Sequence, residues 1–446
     1  MTGVFRTRRL QGERTHMIRQ TALTGEQKRR GRFFYNLFSF FNGISFICLG
    51  ETMLILLAVK IALPDWGISA IGGMSFTGYF MLPLGKSITA RIGAARTQAV
   101  CWMLRNCAVL LVAAAVPMHR YGCHRPAITA AVLTGAFLFY GFRAAGVIMA
   151  QPLIGEISDA DNRSGFLAQS TAMFFASNVG TLVAVSLLLK LCSSAWMLAG
   201  IILFGALCGL GSSWLPGQID ETEALRDSAR RPLLPDLRFT LRSDSLRRQI
   251  AAGFADNLAI IMTVPMSMLA LKQGYGIDDM TAMLYALVQF ASSAVMSPLT
   301  ARITEKFGPR KLLIWSCEVL LLVGVFWWFA PTEFHPVCCA LPFILGGASS
   351  VAVINATIHY FLQNVELSRR VPVSIFVSLP TGAGAGLAGT MICALLLRFS
   401  AANADPALPL SRFRVFFLGA SLLLIPCIWL TARLKPLPPE KRKLPR

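Results

Sequence analysis

Charge is scarce in this chain. Only 14% of its 446 residues are Asp, Glu, Lys or Arg, roughly half the fraction of a soluble domain. That excludes a soluble enzyme, a disordered chain and a collagen-like fibre. No HExxH, GxSxG, two-carboxylate loop motif or CxxC occurs, so the chain is read as a non-enzyme with no cofactor and no metal. Eleven cysteines do not make a disulfide framework: most (Cys48, Cys101, Cys107, Cys208, Cys317, Cys393, Cys427) fall in apolar segments, where a thiol acts as a small apolar residue. A bridge between Cys123 and Cys192 stays open. No separate apolar region precedes the first long apolar segment, which argues against a cleaved signal peptide. The basic first 33 residues are read as a solvated tail near anionic headgroups; a transit peptide has a similar composition.

What the chain has instead is apolar length. Hydrophobic residues make up 55% of it, and the stretches 166–189, 191–219, 280–301, 334–365 and 371–397 contain no charged residue. A membrane-spanning helix needs ~20 such residues. The expected fold is an all-α integral membrane protein with twelve spans at 34–60, 67–86, 97–118, 127–154, 165–189, 193–216, 250–271, 280–300, 312–330, 337–361, 372–397 and 413–432. The longest internal polar stretch, 217–248, holds seven Arg and six acidic residues and divides the spans six and six. The expected plan is a tail (1–33), a six-helix bundle (34–216), a charged linker with at most short surface helices (217–249), a second bundle (250–432) and a tail (433–446). Of the 42 basic residues, 32 fall on the side of the two termini and eight on the other. The positive-inside rule puts that side in the cytoplasm, in a plasma membrane and first of all a bacterial inner one. It accounts for the net charge of +20 without nucleic acid.

The halves repeat weakly at an offset of 215. Pro83 meets Pro298, Gly93 meets Gly308, Arg91 meets Lys306, Arg96 meets Lys311 and Asn42 meets Asn257. Paired bundles around a midplane site are a mark of secondary transporters. The loop after the second span reads Lys86-Ser-Ile-Thr-Ala90-Arg91-Ile92-Gly93-Ala94-Ala95-Arg96, and its echo in the second half reads Glu305-Lys306-Phe307-Gly308-Pro309-Arg310-Lys311. The loop after the fourth span reads Glu156-Ile-Ser-Asp159-Ala-Asp161-Asn-Arg163-Ser-Gly165.

On these loops the chain resembles the major facilitator superfamily, whose motif has the form G-x-x-x-D-R/K-x-G-R-R/K, with a Glu-x₆-Arg-Gly pattern after the fourth helix. The resemblance implies two pseudo-symmetric six-helix bundles and a gate on the inner side. It assigns gating to Arg91, Gly93, Glu156, Arg163, Glu305, Lys306, Gly308 and Arg310. Ala90 stands where the family's motif acid belongs, so the usual charge pair is in doubt in the first half. Subfamily marks are missing: 177–181 lacks the drug-antiporter helix bend, and 214–218 lacks the sugar-porter Pro-Glu-Ser.

Charge at membrane depth costs ~2.5–3.5 kcal/mol or more, so polar residues inside the spans carry the remaining information. In the family the first, fourth, seventh and tenth helices line the cavity, while the third, sixth, ninth and twelfth face lipid. The resemblance therefore implies a pathway containing Asn42, Glu51, Arg143, Asp256, Asn257, Thr263 and Asn355, and leaves Arg105 and Glu318 as snorkelling or interhelical contacts. Asp256, Thr263 and Ser267 share one helical face, read either as a cavity stripe or as interhelical hydrogen bonding. Glu51 is either a proton carrier or a structural acid. His359 is read as a satisfied helix-end residue, and Gly382 with Gly386 as a site of close helix packing. Arg143 and Asp256 are expected to meet when the inner side is closed, with Glu51 far above them.

These features point to a secondary active transporter that moves a small solute by rocker-switch alternating access, with proton coupling left open. The expected partners are that solute, protons and lipid, around a monomeric chain. A membrane-embedded transferase and a non-transporting receptor or scaffold are the alternatives.

Overall fold

The computed structural model describes residues 18–192, 194–405 and 408–436. Among them, eleven helices are long and apolar enough to cross a membrane. Helix 1 is Gly25–Lys60, helix 3 Ala94–Arg120, helix 4 Arg125–Ile157, helix 5 Arg163–Leu191 and helix 6 Ala195–Gln218. In the second half, helix 7 is Asp244–Gly274, helix 8 Met280–Phe307, helix 9 Pro309–Trp328, helix 10 Pro336–Asn364, helix 11 Leu367–Asn403 and helix 12 Pro409–Ala432. Helix 2 (65–92) is built from three pieces, Asp65–Thr77, a tight turn at Gly78–Met81 and Leu82–Ile92. Several helices run past the apolar segment that announces them, because hydropathy marks the membrane-buried part while backbone hydrogen bonding continues into polar sequence. Their starts are capped as the local sequence dictates. Thr24 and Gln27 form a reciprocal capping box, and the Asp278 carboxylate accepts from the N–H groups of Met280 and Thr281 at 3.1 and 3.3 Å. Such caps satisfy donors that a helix start leaves free.

The packing repeats across the halves. Helix 1 packs on 5 and 6, and helix 3 on 4 and 6; correspondingly, helix 7 packs on 11 and 12, and helix 9 on 10 and 12. Even the turns match: Gly93 and Gly308 sit at φ 89°, ψ 167° and φ 83°, ψ 159°, a region only glycine enters freely. Each half has its own apolar core, around Leu54, Val112 and Ile202 in the first and Trp327, Phe416 and Phe417 in the second.

One end of the molecule carries the linker and the described ends of the chain; it is called the linker face, and the opposite end the loop face. The linker folds into two short helices, Glu223–Arg230 and Leu233–Arg242. Its first residues, Glu221–Thr222, pair in parallel with Ile18–Arg19. Cys123 and Cys192, which the sequence left open as a bridge, are both free and exposed.

Candidate functional site

Helix 1 is broken at Gly50, whose extended backbone (φ −64°, ψ 164°) separates Gly25–Leu49 from Glu51–Lys60. A break at membrane depth is tolerated where it lines a cavity and presents a half-helix N-terminus to a ligand. Glu51 is the first residue of that half-helix. It is exposed, and its Oε1 lies near Gly72 of helix 2, 3.2 Å from where a Cβ there would stand. Arg143 on helix 4 lies with its guanidinium 5.5 Å from the Phe46 ring centre. Tyr140, one turn before it, is buried; its hydroxyl has no hydrogen-bond partner among the described residues and feels both the Arg143 and Glu51 charges. The site thus has one cation, one carboxylate and one unspent hydroxyl on helices 1 and 4. Phe174 of helix 5 packs on Phe46 at 5.5 Å and walls one side.

The structure corrects several expectations. Asp256 does not meet Arg143. It is fully buried inside the second half, where its Oδ1 accepts from the Cys317 thiol of helix 9 and the Thr431 hydroxyl of helix 12, both at 2.9 Å. Thr263 and Ser267 are buried on the same face. Thr263 donates to Ala259 O, and the Ser267 hydroxyl accepts from Trp327 Nε1 of helix 9 at 2.8 Å. At Asp256 and Ser267 the polar stripe is therefore interhelical glue, while Thr263 bonds within its own helix. Asn42 likewise turns to helix 3, where its Oδ1 accepts from Trp102 Nε1 at 2.9 Å and Arg105 Nη2 at 3.3 Å. Arg105 itself is buried and also donates to Ser45 and Asn106, the interhelical role expected of it. Asn257 donates to Gly253 O of its own helix at 2.8 Å. The error is one of rotation: placing a helix beside the cavity does not say which of its faces looks in.

The remaining polar groups gather where the halves meet at the linker face. Leu153, Ile154 and Ile157 of helix 4 share one apolar cluster with Phe361, Leu362 and Val365 of helix 10 and Val371 and Ile375 of helix 11. Hydrogen bonds cross beside it. Asn355 donates to Thr171 of helix 5 at 3.2 Å and to Thr300 of helix 8 at 2.8 Å; Ser164 of helix 5 donates to Glu305 at 2.8 Å, and Thr171 bonds Ser297. Arg163 is buried beside His359 and Arg370. Arg310 donates to Ala432 O at the end of helix 12 at 2.6 Å, while Lys306 stacks on Phe307 and Arg91 is exposed. Farther up the seam, a side chain at Gly382 or Gly386 would collide with the rings of Tyr79 and Phe76 on helix 2, the close approach their spacing suggested.

Sequence reasoning missed Glu221. Only 1% exposed, it reaches from the linker to the start of helix 3, where its Oε2 accepts from the N–H groups of Ala94 and Ala95 at 2.7 and 3.3 Å. A lone acid in a charged linker carries no signal of this kind. Gly93 feels the result, since a Cβ there would strike the Glu221 carboxylate, whereas no described residue comes within 4 Å of a Cβ at Gly308. Gly93→Ala should therefore lower thermal stability more than Gly308→Ala, the latter costing the ~1–3 kcal/mol of backbone strain alone. Equal shifts in melting temperature would deny Glu221 its place.

Two halves with the same helix packing, a broken first helix carrying Glu51 and a packed seam between the halves at the linker face are the features of a membrane transporter. The chain belongs to the Major Facilitator Superfamily, whose family model matches residues 33–365. Among curated proteins no sequence matches it. Solved structures of the same fold include a bacterial homologue of the iron transporter ferroportin in an outward-facing state (TM-score 0.70, 13% identity, covering 91% of this chain and 99% of that one). The transporter FucP in its outward conformation has a TM-score of 0.64 at 13% identity, over 89% and 98% of the two chains. The human organic anion transporter MFSD10 aligns at 0.64 and 16% identity, over 91% and 99%. At these identities the likeness is one of fold.

Proposed function

We propose that the chain is a secondary active transporter that moves a small solute by rocker-switch alternating access. Arg143 holds an anionic group of the solute, the Tyr140 hydroxyl offers it a hydrogen bond, and Glu51 carries the coupling proton. The observation that carries this reading is a pair of opposite charges at membrane depth, Arg143 and Glu51, near a helix break and beside Tyr140, whose hydroxyl has no hydrogen-bond partner among the described residues. An unneutralised Arg at that depth is costly, and an anionic ligand removes the cost. The excess of basic residues at the linker face supports placing that face in the cytoplasm, for a monomer in a plasma membrane with no part for nucleic acid. Asn355, Glu305 and Arg163 belong to the inner gate, together with Glu156.

The test is uptake into proteoliposomes from a panel of small organic anions with an imposed pH gradient, acid outside. At least one is expected to accumulate above its equilibrium level and to lose that accumulation when the gradient is collapsed. Accumulation driven by sodium alone would remove the proton from this account.

A further inference from the structure

We propose that the linker is the latch of the gate at the linker face, with Glu221 as its positioning residue; this rests on the alternating access read above. The resembling loop motif calls for an acid at position 90, and Ala90 stands there. Glu221 supplies a carboxylate to the same corner from 127 residues away, across the first turn of helix 3, where the helix dipole favours negative charge. Pairing of Glu221–Thr222 with Ile18–Arg19 holds it in place.

From that anchor the linker ties down every neighbouring helix end. Thr222 donates to Glu156 Oε1 of helix 4 at 3.0 Å. Arg226 and Arg230 both donate to Ala90 O at the end of helix 2, at 3.4 and 3.3 Å. The next step crosses to the second half: the buried Ser228 hydroxyl accepts from Val371 N–H in the first turn of helix 11 at 3.3 Å. Leu225 and Ala229, fully buried, join the apolar cluster that includes Val371 and Val373. Parting helix 11 from helices 2 and 4 must break the Ser228 bond and bare these side chains. Among the described residues the repeat of this corner at Gly308 has no such visitor, since none lies within 4 Å of a Cβ at that position. The latch therefore belongs to the first half alone.

The experiment places a cysteine at Val373, a position with no exposure in the closed seam. Its maleimide labelling in detergent is read by peptide mass spectrometry and normalised to the exposed native Cys123 to cancel thiol ionisation. Labelling should be slow in the parent. Glu221→Ala should raise it about tenfold, and Ser228→Ala severalfold. Glu221→Gln, which keeps an amide oxygen to accept from the Ala94 and Ala95 N–H groups, should stay slow. Rates unchanged in both alanine variants would overturn the latch. Because labelling reports opening and not flux, a failed latch leaves the transport reading standing, and a failed uptake assay leaves the latch measurable.

Discussion

Arg143→Met should reduce solute uptake by about a hundredfold or more while leaving the folded protein and its melting temperature nearly unchanged. The guanidinium lies against Phe46 and beside Tyr140 and belongs to no ion pair among the described residues, so its removal strands no partner among them. On the proposed reading, what it strands is the anionic group of the solute. A charge-assisted hydrogen bond contributes ~1.5–3 kcal/mol, and at a desolvated site the loss of one partner costs ~2–5 kcal/mol, which is one to three orders of magnitude in affinity. Arg143→Lys keeps the charge but not the planar fork and should recover only part of the rate. Initial uptake rates over a range of solute concentrations check both. Uptake within twofold of the parent in Arg143→Met would move the solute site elsewhere.

The second large effect separates coupling from binding. Glu51→Gln should abolish accumulation driven by a pH gradient yet retain exchange of labelled for unlabelled solute, because exchange needs the solute site but no net proton movement. Asp256→Asn should retain both activities within about twofold. Its Oδ1 already accepts the Cys317 and Thr431 hydrogen bonds, its Oδ2 has no hydrogen-bond partner among the described residues, and an amide of the same shape keeps the two contacts. Measured side by side in proteoliposomes, the two variants rank the acids. Coupling lost in Asp256→Asn and kept in Glu51→Gln would reverse the assignment.

Much of the architecture was legible in the order of residues. In lipid the backbone must satisfy itself, so a run of ~20 apolar residues has few alternatives to a spanning helix, and hydropathy alone located eleven of the twelve expected spans as long apolar helices, the second being built from shorter pieces. The offset of 215 was equally direct. Gly93 and Gly308 recur because each turn needs a φ near +85°, which a side chain resists.

The rotation of each helix was not legible. Asn42, Asp256 and Thr263 lie on helices that the family pattern puts beside the cavity, yet they turn to Trp102, to Cys317 with Thr431, and to the Ala259 carbonyl of Thr263's own helix. A helical wheel fixes the angles between residues at 100° apiece but leaves its own zero to be set by the neighbours. Arg143 shows the same from the other side, its reach settled by Phe46 and Tyr140 and not by its depth. Glu221 is the extreme case. Its meaning comes from Ala94 and Ala95, 127 and 126 residues distant, and only the folded chain brings a linker carboxylate to a helix start. Composition and period determined which segments enter the membrane, since that follows from transfer of each segment into lipid. Which side chains meet, and so which charges face a solute and which merely hold helices together, was decided by packing between segments that no local pattern encodes.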